Sequence, residues 1–175
     1  TLVDLVDSPE RFMEWLSCVP ALAAMKDLAV EAERDGALPV VLEEARRLRD
    51  WLVATLRRLK GEGAAAPGLD VAPLNRVLGA GSACWQLDER DGRLDMMLVR
   101  RYDGPLSVLV PLAEAIAELL TRVDPAFVRK CENPKCTLWF RDTTKRGHRR
   151  WCSPAACGNR AKVAAHRQRQ REGHG

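Results

Sequence analysis

Apolar residues recur three and four positions apart along most of residues 1–124, the period of helices that bury one face. Phe12, Trp15, Leu16 and Val19 make the first such face. Asp7-Ser8-Pro9-Glu10 precedes it with Ser8 as a cap, Pro9 in the first turn and Glu10 at the positive end of the helix dipole. Pro20 restarts the chain into a second helix, Ala21 to about Glu33, closed near Gly36. The longest helix is predicted from Leu38, on the spacing of Val41, Ala45, Leu48, Leu52, Leu56 and Leu59. Its remaining positions, with Arg46, Arg47, Arg49, Arg57 and Arg58 among Glu43, Glu44 and Asp50, read as a solvated face.

Gly61 to Gly68 forms a small-residue connector, after which Asp70 caps a short helix bearing Leu74, Val77 and Leu78, ended by Gly79 and Gly81. The texture then changes. Ala83–Arg90 and Arg93–Arg101 flank Asp91-Gly92, a pair suited to a tight hairpin turn because both residues tolerate positive φ. Helix returns from Pro105 to about Val123 with Leu106, Leu109, Val110, Ala113, Ile116, Ala117 and Leu120 on one face; Pro111 either kinks it or marks its start. Asp124-Pro125 ends this body. The pattern predicts a mainly α protein, with a helical domain over residues 1–124, a β-hairpin inserted at about 83–101, and a small unit over residues 125–175.

Composition suits a globular core, at 46% hydrophobic residues in 175. No stretch reaches the ~18 consecutive apolar residues of a membrane span, and no secretory signal opens the chain, so a cytoplasmic protein with no membrane partner is expected. Because the sequence opens on Thr1, an address lost with a natural start stays open. Charge divides the chain in two. Residues 129–171 hold 13 Lys and Arg against Glu132 and Asp142, a balance of +11, whereas the other residues have 15 cations against 22 acids, a balance of −7. A basic end on an acidic body points to a polyanion partner.

Four of the six cysteines lie in that basic end, as Cys131, four residues, Cys136, fifteen residues, Cys152, four residues, Cys157. Two close pairs at this separation can surround one tetrahedral Zn2+, and four thiolates make a closed, structural site. Asn133-Pro134 suits a knuckle turn, and Ser153-Pro154 starts a helix that takes Cys157 into its first turn. Knuckle, hairpin and helix in that order resemble a treble-clef finger. Two disulfides are the rival arrangement; they need an oxidising compartment and leave Cys18 and Cys84, which read as core residues, unpaired. Leu138, Trp139, Phe140 and Trp151 are the large apolar side chains available to pack around the ion.

Arg149-Arg150-Trp151-Cys152-Ser153 and Cys157-Gly158-Asn159-Arg160 resemble the CGNR zinc finger, and Phe140-Arg141-Asp142 with Cys131 and Cys136 falls where that motif has its aromatic, acid and first ligands. The resemblance spans about residues 129–171. It implies a preceding helical ABATE domain with an inserted hairpin, and a bacterial transcription regulator induced by stress. The Asn-Thr that follows an apolar run in that family is missing here, where Leu2 to Asp7 runs directly into Ser8.

These features predict a zinc-dependent, DNA-binding regulator whose helical domain senses a small-molecule effector or mediates homodimerisation. Past Cys157 the helix exposes Arg160, Lys162, His166, Arg167, Arg169 and Arg171; Arg167, Gln168 and Gln170 are candidates for base edges. Lys145, Arg146, Arg149 and Arg150 are candidates for phosphate contact, while Gly158 and Asn159 support the metal site. The alternative is a structural finger that binds RNA or a protein. An enzyme is not expected, since His148 sits among cations without the histidines or acids of an open catalytic metal site.

Overall fold

The computed structural model describes residues 4–61 and 68–172. The connector between Gly61 and Gly68 and the opening of the apolar run before Asp4 therefore lie outside the described residues. The protein is mainly α and divides into two compact units, Asp4–Thr121 and a second from Arg122 onward. Among the described residues no helix is long and apolar enough to cross a membrane.

In the first unit, α1 spans Pro9–Cys18, and Ser8 caps it by accepting from the Arg11 amide at 3.4 Å. A short 3-10 turn, Pro20–Leu22, precedes α2, Ala23–Arg34. Pro20 thus starts the segment with a tighter turn than the apolar spacing suggests. α3, Leu38–Leu59, is the longest helix. α4, Ala72–Leu78, begins after Asp70, whose carboxylate accepts from the Ala72 amide at 3.0 Å. Gly79 caps its end, but Gly81 opens the first strand rather than closing the helix.

That strand, β1 (Gly81–Arg90), pairs antiparallel with β2 (Arg93–Tyr102) through ten rungs. Asp91 at φ 52° and Gly92 at φ 77° make the turn with both central residues left-handed, as their sequence requires. The segment expected as one helix from Pro105 is two elements. Pro105–Leu109 is a 3-10 turn and α5 runs Val110–Arg122, so Pro111 marks a start and kinks nothing.

Phe12, Leu16, Met25, Leu38, Val41, Leu48, Val77, Val108 and Leu109 form the centre of one apolar cluster drawn from α1 to α4 and the turn before α5. Two expectations fail against it. Glu44 is buried on α3 and ion-paired to Arg76 of α4, because its position faces α4 rather than water. Cys18 is exposed and Cys84 half-buried, since one ends α1 and the other lies on the hairpin, so neither is a core residue. Trp51 is half-buried and donates its indole N–H to the Asp70 carbonyl at 2.8 Å, tying α3 to the approach of α4.

Phe12 is fully buried at the meeting of α1 with this cluster. Phe12→Ala is expected to remove about 3–5 kcal/mol from the unfolding free energy of the helical unit, read by urea denaturation followed by far-UV circular dichroism.

Candidate metal centre

The second unit starts from a short ladder. β3, Val128–Lys130, pairs antiparallel with β4, Trp139–Arg141, with Arg129 opposite Phe140. The strands bracket the first cysteine pair, so the expected hairpin does not occupy the stretch between the pairs; residues 142–153 form an irregular loop instead. The ladder continues into the knuckle, where the Cys131 amide donates to the Leu138 carbonyl at 2.9 Å. Asn133 turns the chain. Its carbonyl accepts from the Cys136 amide at 2.8 Å and its side chain from the Lys135 amide at 3.0 Å. The second pair reaches the knuckle through the Glu132 amide, which donates to Arg150 at 3.0 Å, and the Cys152 amide, which donates to the Cys131 sulfur at 3.5 Å.

Ser153 caps the next element, accepting from the Ala156 amide at 3.1 Å. That element, Pro154–Gly158, is a widened π turn closed by the Gly158 amide on the Ser153 carbonyl at 3.1 Å. Cys157 is presented by this turn, and α6, Asn159–Glu172, follows it. Gly158 is buried, and a Cβ there would sit 3.1 Å from Cδ1 of Trp151. The close approach that makes glycine fit is therefore to an indole.

The four sulfurs of Cys131, Cys136, Cys152 and Cys157 lie within 4.8 Å of one another, with Cys136 and Cys157 each 3.7 Å from Cys152. A tetrahedron with Zn–S bonds of ~2.3 Å has S···S edges of about 3.8 Å. These spacings suit an ion and far exceed a disulfide bond of ~2.05 Å. Protonation favours the same conclusion. Burial and the neighbouring thiols push Cys152 up to about 12, and burial also raises Cys157. Cys131 moves down to about 7, because amide donors from Cys152 and Asn133 outweigh the burial that opposes ionisation. Several thiolates can share this space only with a cation among them. Burial raises the Cys157 thiol, and the side-chain amide of buried Asn133 works in the opposite direction, toward the thiolate.

The loop is organised by Asp142, which is 2% exposed. Its carboxylate accepts from the Thr144 amide at 2.9 Å, the Thr144 hydroxyl at 2.6 Å and the Arg149 amide at 2.7 Å. Burial works against ionisation, but these donors and the nearby Arg129 charge hold its carboxyl below the usual carboxylate range. Arg129 donates to the Gly147 carbonyl. Gly147 has φ 61° and lies against Phe127, where a Cβ would approach ring carbon Cε1 to 3.2 Å.

Arg149, expected at phosphate, is half-buried with its guanidinium 4.8 Å from the Phe140 ring centre. It donates to the Trp151 carbonyl at 2.8 Å and to the Cys152 carbonyl, so it holds the chain leading to the second cysteine pair. Lys145, Arg146 and His148 are exposed. Arg150 is exposed too, bonded to Glu132 at 2.6 Å and lying over Trp151. Trp139, Phe140 and Trp151 are half-buried as expected around a small site, whereas Leu138 is exposed because it follows Cys136 on the outside of the knuckle. Beyond Asn159, α6 keeps Arg160, Lys162, Arg167, Gln168, Arg169, Gln170 and Arg171 exposed, with Ala161 alone half-covered among the residues from 160 to 171. Sequence reasoning missed the internal roles of Asp142, Arg129 and Arg149. The one available signal was that Asp142 and Glu132 are the sole acids among 13 cations, and both are paired.

A family model described as CGNR zinc finger matches residues 128–170. The ABATE model, described as "Putative stress-induced transcription regulator", matches residues 1–123. No curated protein matches the chain. Four cysteine sulfurs at these separations within a CGNR zinc finger form the seat of one structural zinc ion.

Two outcomes follow from this geometry. With Cys152 and Cys157 raised, both are protonated in the metal-free protein at pH 7, so zinc uptake should release at least about two protons and weaken as pH falls; calorimetry in buffers of different ionisation enthalpy reads this. Asn133→Ala should lower zinc affinity by roughly 10–100-fold, measured by competition with a chromophoric chelator.

Proposed function

We propose a function for this chain, which belongs to the ABATE family and ends in a CGNR zinc finger: a bacterial regulator of transcription in the stress response that binds DNA through α6 and the loop before it. Cys131, Cys136, Cys152 and Cys157 hold the ion, which fixes the direction in which α6 leaves the π turn. The ion's chemistry is structural, since four thiolates leave it no open position.

The observation that carries this reading is the state of α6. It buries no side chain among residues 160–171, and its cations Arg160, Lys162, Arg167, Arg169 and Arg171 have no acid between them. A run of exposed helix with a single sign of charge from Arg160 to Arg171 suits a polyanion. Along one side, Ala155, Ala156, Asn159, Val163 and Ala164 form a shallow surface edged by Arg160 and Arg167. Farther on, Gln168 and Arg171 join Ala164 and Arg167. Small residues let the backbone approach base edges, and methyl groups of alanine and valine can meet thymine. Arg167, Gln168 and Gln170 are the base readers in this arrangement, with Arg160, Lys162, Arg169 and Arg171 on flanking phosphates. Lys145, Arg146 and Arg150 grip phosphate from the loop, and Arg149 shapes that loop from within. The helical unit supplies dimerisation or an effector site, in the cytoplasm.

Fluorescence anisotropy of the zinc-loaded chain against duplex DNA and folded RNA, over a range of salt, tests this. Binding to duplex is expected with a steep slope of log K on log salt, reduced by about 2 when Lys145→Ala and Arg146→Ala are combined. Cys136→Ser should abolish binding while the helical unit stays folded. Preference for RNA over duplex, or an unaltered slope, overturns the proposal.

A further inference from the structure

The hairpin β1–β2 leaves an apolar face open to solvent. Its register sets Trp85 opposite Leu98, Leu87 opposite Met96, Glu89 opposite Leu94 and Ala83 opposite Arg100, so these pairs share one side of the ribbon. Trp85 is 62% exposed, Leu87 73%, Leu94 71%, Met96 65% and Leu98 46%. No hairpin residue belongs to the core cluster of the helices. A two-stranded ribbon is marginal in water by itself, and contiguous apolar surface on this scale marks an interaction site.

We propose that this face packs against the same face of a second copy of the chain, making the helical unit a homodimer. The argument is the order of groups along the face. Beyond Gly81 with Tyr102 at the base, four rungs lie on it: Ala83 with Arg100, then Trp85 with Leu98, then Leu87 with Met96, then Glu89 with Leu94 at the tip. Charge of opposite sign therefore stands at the two ends, and the two wholly apolar rungs stand between. A two-fold axis across the strands lays each apolar rung on the other and brings the tip of one hairpin to the base of its mate. Glu89 of each copy then comes over Ala83 of the other, diagonal to Arg100 on the adjacent strand, and both large apolar pairs are covered twice, as an isologous contact requires. A membrane surface would favour cations around the rim, whereas here one end is acidic. Arg100 is held in place at the base by its ion pair to Glu114 on α5.

This inference rests on the dimerising role suggested above for the helical unit and is independent of what α6 binds. Sedimentation equilibrium of the zinc-loaded full chain without nucleic acid, over about 1–100 µM, is expected to show a monomer–dimer equilibrium. Leu87→Glu with Met96→Glu should raise the dimer dissociation constant by roughly 100-fold or more, with circular dichroism and zinc content unchanged. A charge exchange guards against misfolding of that variant. In a Glu114→Gln background, which removes the acid already paired to Arg100, Glu89→Arg should weaken the dimer by about tenfold and adding Arg100→Glu should restore it. A monomeric wild-type chain, a dimer indifferent to the glutamates at 87 and 96, or failure of the double exchange to restore association overturns the proposal. Anisotropy on the same samples separates this from DNA binding, since a monomer that still binds duplex refutes the dimer alone.

Discussion

The C-terminal unit is governed by a shortage of apolar matter. Among the described residues from Arg122 onward the buried hydrophobic ones are Val128, Cys131 and Cys157, and two of those are metal-site cysteines. A segment of this size cannot offset its chain entropy with so small a core. Zinc–thiolate bonds and a web of charged hydrogen bonds replace it. The four sulfurs cannot all ionise in one place without a cation, so the ion and the fold of this unit are formed together. The knuckle, the loop around Asp142 and the π turn before α6 all converge on that point.

The helical unit meets the same entropic demand by ordinary burial. α1 to α5 and the turn before α5 enclose a contiguous cluster, and Glu44 is tolerated at its edge because Arg76 supplies a partner. Polar anchors then fix the approach of individual segments, as the Trp51 indole does at Asp70. One unit is thus specified by volume and the other by coordination and charge.

This difference decides what could be read from sequence. Periodicity located α1, α3 and α5 because their apolar residues recur at the spacing of a buried face, and Asp91-Gly92 located the hairpin because the turn needs two left-handed residues. The four metal-site cysteines stood out by spacing alone. Identity without geometry misled at Glu44, which reads with the exposed charges Glu43 and Arg47 beside it, and at Cys18, which ends its helix on the outside. It misled again at Arg149. In a run of cations every arginine looks like a phosphate ligand, and only a three-dimensional view shows one folded back over Phe140 onto two carbonyls. The role of Asp142 as the hub of the loop was equally invisible, since its partners are backbone groups that no motif records.

The exposed state of α6 has a consequence for variation. The four metal-site cysteines lie at or before Cys157, while the side chains from Arg160 to Arg171 are exposed apart from half-covered Ala161. Substitutions along that helix therefore carry little folding cost beyond helix propensity. The metal site and the exposed helix are thus written in adjacent but separate stretches of chain. Copies of such a gene can therefore vary along that helix while the cysteine cluster before it stays unchanged.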